Sequence, residues 1–330
     1  MIRPSAVTIR DVAALAGVSV GTASKALNGR GSLRPDTVAR VRRAAERLDF
    51  RPNPAARSLH SARSYTVGMI TTDTIGRFSI PLLIGAEDTL GAGEMSVLLC
   101  DARDDPTTEQ HHLRVLLGRR VDGIIVTGRR AGSRPPIATR LTVPVVYAFL
   151  ASSDPADCSV VPDEAGAARL AVDHLRTAGR TRIAHITGPE HHHSARVRAE
   201  TVAARADLVA PPLYGEWSEA WGREATRQLL DRGLDVDALI CGNDQIARGA
   251  ADTLREAGRR VPHDVALTGF DNWDVIALAS RPPLTSIDLD LEGLGRTAAE
   301  LLLRAIDGDP SPGVHLHPPK LVIRASTVPS

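Results

Sequence analysis

Residues 8–28 read Thr8-Ile9-Arg10-Asp11-Val12-Ala13-Ala14-Leu15-Ala16-Gly17-Val18-Ser19-Val20-Gly21-Thr22-Ala23-Ser24-Lys25-Ala26-Leu27-Asn28. Two short helices joined by a tight turn are predicted. Thr8 stands at a cap with Asp11 three residues on, the spacing of a capping box. Val12, Ala13, Leu15 and Ala16 give the first helix a small apolar face. Gly17 falls where a helix stops and the chain turns through a left-handed residue. Ser19 starts a second helix with Ala23, Ala26 and Leu27 as its buried face. Val20, Gly21, Thr22, Ser24, Lys25 and Asn28 then point outward, all small or polar. Such a face lets a short helix approach base edges in a major groove. The same spacing occurs in plain helical hairpins, so the residues that follow must decide.

Pro35 and Asp36 suit the first turn of a third helix. Val38, Val41, Ala45 and Leu48 fall on one stripe, and Phe50 closes a small core. Arg51-Pro52-Asn53-Pro54 is a stop followed by a new cap. Ala55 to His60 spans barely two turns, too short to hold in water without a partner. It reads either as a helix that folds on docking or as a linker. Residues 1–63 carry 12 Lys and Arg against 4 Asp and Glu, and the remainder 28 against 35. A net charge of +1 therefore hides a basic front end and an acidic body, which suits phosphate binding by one end only.

With these motifs in view, residues 8–63 resemble the DNA-binding headpiece of the lactose-repressor (LacI/GalR) family. The matching pieces are Thr8-Ile9-Arg10-Asp11-Val12-Ala13, Ala16-Gly17-Val18-Ser19, Thr22-Ala23-Ser24-Lys25, Asn28, Arg51-Pro52-Asn53 and Ala56-Arg57-Ser58-Leu59. Two positions depart from the family pattern: Arg34 precedes Pro35 where a capping Ser or Thr is usual, and Lys25 replaces a common Arg. The resemblance implies double-stranded, pseudo-palindromic operator DNA as a partner. Its contacts would come from Thr8, Ser19, Val20, Gly21, Thr22, Ser24, Lys25 and Asn28, and from the hinge residues Asn53, Ala56, Ser58 and Leu59. Leu59 matches the leucine that this family inserts between central base pairs of the minor groove.

Length allows a headpiece and two further lobes. Aromatic residues make up only 3% of the chain, so each one is informative. Cys100, Cys158 and Cys241 are few and widely spaced, which favours buried free thiols over a disulfide framework. No apolar run reaches membrane-spanning length and no signal-peptide core opens the chain, so a cytoplasmic protein without a membrane partner is expected.

From Tyr65 onward, apolar runs alternate with helical spacings. Strands are predicted at Tyr65–Ile70, Ser96–Cys100, Gly123–Thr127, Val143–Tyr147, Arg182–Ile186, Ala238–Cys241 and Val265–Thr268. Helices are predicted at Glu109–Leu117, Ala165–Thr177, Trp221–Leu230 and Ile246–Ala257. Crossovers of this length mean parallel sheets, whose ligands sit at the carboxyl ends of the strands. Asp73, Asp101, Thr127, Phe149, Asp163, Asn243 and Asp271 follow strand candidates closely.

This body resembles the family's two-lobe, periplasmic-binding-protein-like effector domain, most clearly at Arg182-Ile183-Ala184-His185-Ile186-Thr187-Gly188-Pro189 and Gly269-Phe270-Asp271-Asn272. Motif-matched pocket positions are Arg198, Trp217, Asn243 and Asp271, with Phe78 from the first lobe. A Trp face, an Arg fork and Asp and Asn acceptors suit the C–H faces and vicinal hydroxyls of a sugar. The alternative reading of Trp217 is a core residue. Ser79 after Phe78, Phe149 in place of an Asp and Thr127 in place of an Asn depart from the family's pattern.

The expected fold is α/β: an all-α helix-turn-helix headpiece and a two-lobe domain with parallel sheets. The boundaries expected are 1–49 for the headpiece and 50–63 for the hinge. The first lobe would take 64–162 with 290–312, and the second 163–289 with 313–330. His191-His192-His193 reads as a solvated loop, because adjacent residues cannot converge on one ion. No metal, cofactor or catalytic constellation is expected, so the chain is not read as an enzyme. The function expected is a sequence-specific transcriptional repressor, a homodimer released from its operator by a small sugar or glycoside. The alternatives are a co-repressor-type regulator of non-sugar metabolism, and a two-lobe binding protein or enzyme with a helical extension.

Overall fold

In the computed structural model, residues 7–27, 32–50, 63–92 and 95–328 are described. The chain divides into two compact units, residues 1–64 and 65–330.

The small unit is helical: α1 (Ile9–Ala16), α2 (Val20–Leu27) and α3 (Pro35–Arg47). The Thr8 N–H donates to the Asp11 carboxylate at 2.8 Å, and the Thr8 hydroxyl donates to the same oxygen at 2.7 Å. Those bonds hold the Asp11 carboxyl below its ordinary range. Gly17 adopts φ +65, and the Val18 N–H closes back onto the Ala13 carbonyl at 3.0 Å. A left-handed turn of this kind ends a helix at a glycine without steric cost. Ser19 caps α2 by accepting from the Thr22 N–H at 3.1 Å. Val12, Ala13, Ala16, Ala23, Ala26, Val41, Ala44 and Ala45 form the core, with Val38, Leu48 and Phe50 packed on it. Leu15, expected on the buried face, is 44% exposed. Arg34 precedes α3 and supplies no side-chain cap, as its chemistry dictates.

The large unit holds two six-stranded sheets. The first combines β1 (Thr66–Thr71), β2 (Ser96–Asp101), β3 (Gly123–Thr127), β5 (Val145–Ala148), β7 (Cys158–Pro162) and β13 (Gly313–His317) in the order 2-1-3-5-7-13. The second combines β8 (Ile183–Thr187), β9 (Leu213–Tyr214), β10 (Ala238–Cys241), β11 (Ala266–Phe270), β12 (Thr285–Asp288) and β14 (Lys320–Val322) in the order 9-8-10-11-12-14. All pairings are parallel except β12 with β14. A two-residue pair, β4 (Ser133–Arg134) and β6 (Ala151–Ser152), forms a small separate ribbon. Each sheet reverses its winding beside its first strand, between β1 and β3 and between β8 and β10. Ligands of open α/β sheets bind at such points.

Residues 313–317 were expected in the second lobe. They instead extend the edge of the first sheet, with Val314 beside Ser159 and Leu316 beside Val161. The chain crosses between lobes again before β14, a return that hydrophobic periodicity does not mark.

Around the sheets lie α4 (Ser79–Ala92), α5 (Pro106–Gly118), α6 (Glu164–Thr177), α7 (His193–Arg205), α8 (Glu219–Asp231), α9 (Asp244–Glu256), α10 (Asp274–Ala277) and α11 (Leu291–Ile306). Alternation along each strand feeds both faces. Met69, Ile125 and Val146 pack with Leu82 of α4 and Leu302 of α11, whereas Ile70, Ile124 and Val126 pack with Leu113 and Leu116 of α5. In the second lobe, Ile186, Leu239 and Leu267 pack with Leu229 and Ile246, and Ile183 and Ile240 pack with Ala171 and Val202. All three cysteines are free thiols, and burial pushes Cys158 up to about 11.

Both lobes join a helix pair backbone to backbone through reciprocal glycines. A Cβ on Gly85 would stand 1.9 Å from the Glu292 carbonyl oxygen, and one on Gly295 would stand 2.2 Å from that of Leu82. Gly222 and Gly249 do the same for α8 and α9, each at 2.1 Å. In a free helix, Gly→Ala is worth up to about 1 kcal/mol of added stability. Here the sign should reverse. Gly85→Ala and Gly222→Ala should each cost about 1–3 kcal/mol from overpacking, read by urea denaturation. An unchanged or raised midpoint would show that the helix pairs can part freely.

Candidate functional site

In the small unit, α2 presents an outer face of small and basic groups. Val20 is 44% exposed, and Gly21 and Lys25 are exposed beside it. Thr22 and Ser24 are half-buried, and Ser19 is exposed with its hydroxyl bonded to that of Thr22 at 2.9 Å. Arg10, Arg34, Arg40, Arg42, Arg43 and Arg47 are all exposed. The arrangement offers cations to phosphate and a nearly bare helix surface to base edges. Asn28, Asn53, Ala56, Ser58 and Leu59 lie outside the described residues.

In the large unit, the predicted pocket residues separate into two sets. Four spend their side chains on the backbone. Asp73 accepts from the N–H groups of Phe78 and Ser79 at 2.7 and 2.9 Å, capping α4. Asp163 caps α6 through Gly166 at 2.7 Å, and Asn243 caps α9 through Ile246 at 2.8 Å. Asp101 accepts from Arg103 in a tight turn at 2.8 Å. The carboxyl end of a strand is followed by the start of a helix, so a polar residue there serves equally well as an N-cap.

The second set converges. Phe78 stacks on Phe149, ring centroids 4.9 Å apart. Phe149 occupies φ +72 and takes the place of an acid with an aromatic wall. Arg77 lies 5.0 Å above Phe78 and 4.4 Å from the ring of Trp273. Its guanidinium donates to the Asp271 carboxylate at 2.5 Å, joining the first lobe to the second. Asp271 and Asn272 both have positive φ, +88 and +47, and Asn272 is tied to Arg324 at 2.7 Å. Two left-handed residues in succession turn the chain sharply after β11, a strain met mostly at functional sites.

Deeper in the second lobe, Arg198 and Glu164 form an ion pair at 2.6 Å with both side chains 4% exposed. Arg198 also donates to the Gly242 carbonyl at 2.6 Å and lies 4.4 Å above Phe270. Burial pulls its pKa down, but Glu164, Asp271 and Asp244 more than offset that, and the net shift is upward. Trp217 lies 6.0 Å from Arg198. Gly188 and Gly242 leave room for the indole, since a Cβ on either would meet it at 2.1 or 3.0 Å. Asp244 is fully buried, accepting from Ser286 at 2.6 Å and from the Trp273 N–H at 2.7 Å. Burial, then the charge of Asp271, pushes its carboxyl up to about 7.

Three buried hydroxyls, Thr127, Thr187 and Thr268, and one oxygen of Glu164 have no protein partner. Thr127 and Thr187 stand at the carboxyl ends of β3 and β8, at the two winding reversals. Unpaired buried polar atoms are costly, and a hydroxylated ligand would satisfy them. A cavity of about 400 Å³ also opens in the first lobe, lined among others by Thr72, Gly128, Arg130, Arg134 and Leu150, and none of the converging residues above lines it. That volume lies in the range of small-molecule sites. Among the described residues no cluster of His, Cys, Asp or Glu could hold a metal, and no helix is long and apolar enough to cross a membrane.

Sequence reasoning missed Arg77, Trp273, Asp244 and Glu164. Trp273 was detectable, as one of three tryptophans directly after the Gly269–Asn272 stretch. The others carry no local signal, because their partners lie 29 to 194 residues away.

Comparison with known proteins matches both units of the chain. Residues 8–53 match the bacterial regulatory proteins of the lacI family, and residues 172–327 match a periplasmic binding protein-like domain. The ribose operon repressor of Escherichia coli K12 is 34% identical over 308 residues, covering 91% of this chain and 93% of that protein. The transcriptional regulator CelR of Thermobifida fusca is 32% identical, covering 94% of each chain. Among solved structures, the lac repressor dimer bound to operator and an anti-inducer superposes with a TM-score of 0.76 at 28% identity, covering 98% of this chain and 100% of that one. The CelR–cellobiose complex gives 0.67 at 29% identity, covering 97% and 99%. With a headpiece, a two-lobe domain and relatives matched along nearly its whole length, this chain belongs to the lacI family of bacterial regulatory proteins.

Proposed function

We propose that this protein is a transcriptional repressor that binds a pseudo-palindromic operator as a homodimer in the cytoplasm and leaves it when a neutral sugar or glycoside binds. The observation that carries the reading is the small, exposed face of α2 on a helical unit in which Arg10, Arg34, Arg40, Arg42, Arg43 and Arg47 are exposed. Relatives named for operator binding and for a cellobiose complex favour the same conclusion. A dimer is supported by exposed apolar side chains, Ile80 and Ile84 one turn apart on α4, Leu99 on β2 and Leu278 after α10.

Ligand recognition is assigned to Trp217, Arg198, Asp271, Arg77 and Trp273, with Phe78 and Phe149 as the opposite wall and Thr127 as a hydroxyl partner. Neutrality follows from charge balance. Arg77 is paired with Asp271 and Arg198 with Glu164, so a charged ligand would bring a charge for which these pairs leave no free partner. Asp73, Asp101, Asp163 and Asn243 support the pocket through the backbone.

The reading is tested by selecting operator from random DNA, then challenging the complex with mono- and oligosaccharides in a mobility-shift assay. No selected sequence, or no sugar that releases it, would overturn it. Lys25→Ala should cost about 1–3 kcal/mol and relax preference at one operator position. An equal loss on random DNA would make Lys25 a phosphate contact instead.

Asp271→Ala should bind operator normally and no longer respond to sugar. Arg77→Ala should weaken the response while leaving operator affinity unchanged. Normal release of both variants at wild-type sugar concentrations would show that the pocket lies elsewhere.

A further inference from the structure

His192 belongs to a run of three histidines that neither metal binding nor DNA binding absorbs. The structure gives it a partner. The Trp217 indole N–H donates to His192 Nδ1 at 2.8 Å, and the two rings stack at 18° with centroids 6.2 Å apart. An indole nitrogen can only donate, so Nδ1 must be the bare, accepting nitrogen and the neutral ring carries its proton on Nε2. His192 stands at the start of α7, its own N–H fixed on the Pro189 carbonyl at 2.9 Å. The imidazole is thus anchored by the backbone, and the indole is anchored by the imidazole.

We propose that His192 is the positioning residue for Trp217: its neutral ring holds the indole over the carboxyl ends of β8 and β10, and its protonated ring lets the indole go. The consequence for ligand binding rests on the reading of Trp217 as a pocket wall, whereas the pairing of the two side chains does not. Protonation makes both ring nitrogens donors. The bond to the indole then becomes a donor facing a donor, and the indole loses its acceptor. Gly188 and Gly242 bring backbone against the indole, and its other contacts are apolar packing, which supplies no replacement acceptor.

The charged groups facing this imidazole come from three elements. His191 meets it edge-on at 4.4 Å. Arg129 and Arg130 reach it from the loop after β3, and Glu216 from the turn before Trp217. Arg196 of α7 is turned back onto the carbonyls of Glu190 and His191 at 3.2 and 2.9 Å. Burial, followed by Arg130 and His191, holds His192 below the ordinary histidine value of 6.5, outweighing Glu216. The ring is therefore neutral and accepting at pH 7, and release belongs to the acid side of 6.5.

The test uses the full chain with 15N-labelled tryptophan, the Trp217 indole resonance being assigned by Trp217→Phe. In the wild type that resonance should move between pH 7.5 and 5.0 with a midpoint below 6.5. His192→Asn keeps an acceptor that cannot titrate, and its indole should stay still over the same range. His192→Phe keeps an aromatic ring without the acceptor, and should show the acid-form indole position at every pH. A stationary wild-type resonance, or a His192→Asn indole that still titrates, would overturn the proposal.

D-Ribose and cellobiose then serve as probes on the same samples. Affinity should fall roughly fivefold from pH 7.5 to 5.5 in the wild type, the size of one hydrogen bond, and stay level in His192→Asn. If the indole titrates and neither sugar perturbs it, the pocket reading fails and the positioning role stands. If a sugar binds with the same affinity at both pH values, release of the indole does not reach the pocket, and that part of the proposal falls.

Discussion

The buried pair of Arg198 and Glu164 is the interaction on which the large unit's chemistry depends. Glu164 opens α6 directly after the chain leaves the first sheet at Pro162. Arg198 comes from α7 and also grips the carbonyl of Gly242 after β10. One guanidinium therefore ties the lobe crossover to a winding reversal of the second sheet. Removing either partner of a buried pair strands a charge, at a cost of about 3–5 kcal/mol. Phe270 lies beneath Arg198, and Trp217 lies near it. Asp271 and Asp244 both act on the same guanidinium.

Across the cleft, the first lobe meets Asp271 with Arg77. Arg77 reaches over to Asp271 and is flanked by Phe78 and Trp273. An ion pair joining two lobes at one point makes their separation dependent on what else Asp271 can bind. On the proposed reading, a ligand that offers hydroxyls to Asp271 would compete with Arg77 or join it. The reciprocal glycine contacts hold α4 against α11 and α8 against α9, backbone to backbone, within their lobes.

Much of the fold could be read from the chain because it is written in local chemistry. Thr8, Gly17 and Ser19 fix the helix ends by capping, and β1, β3, β8 and β10 are short apolar runs between turns. What escaped was whatever lacks a period. α4 is apolar nearly all round, with Leu82, Gly85, Ala86 and Leu90 buried and Ile80 and Ile84 exposed, so no stripe announces it. β13 and β14 are short and carry little hydrophobic pattern. Their sheets are chosen by neighbours more than a hundred residues back in one case and some thirty in the other.

For function, the sequence by itself determined the class. The net charge of the first 63 residues and the small outer face of α2 follow from composition and a 3.6-residue period, and both are local. Only the tertiary structure decided which polar residues at strand ends are free to meet a ligand. Asp73, Asp163 and Asn243 look the same in sequence as Asp271, yet three of them cap helices and one faces Arg77. The physical reason is that a carboxylate takes the nearest donor. Whether that donor is the next helix's backbone or a guanidinium 194 residues away is settled by packing, not by the order of the chain.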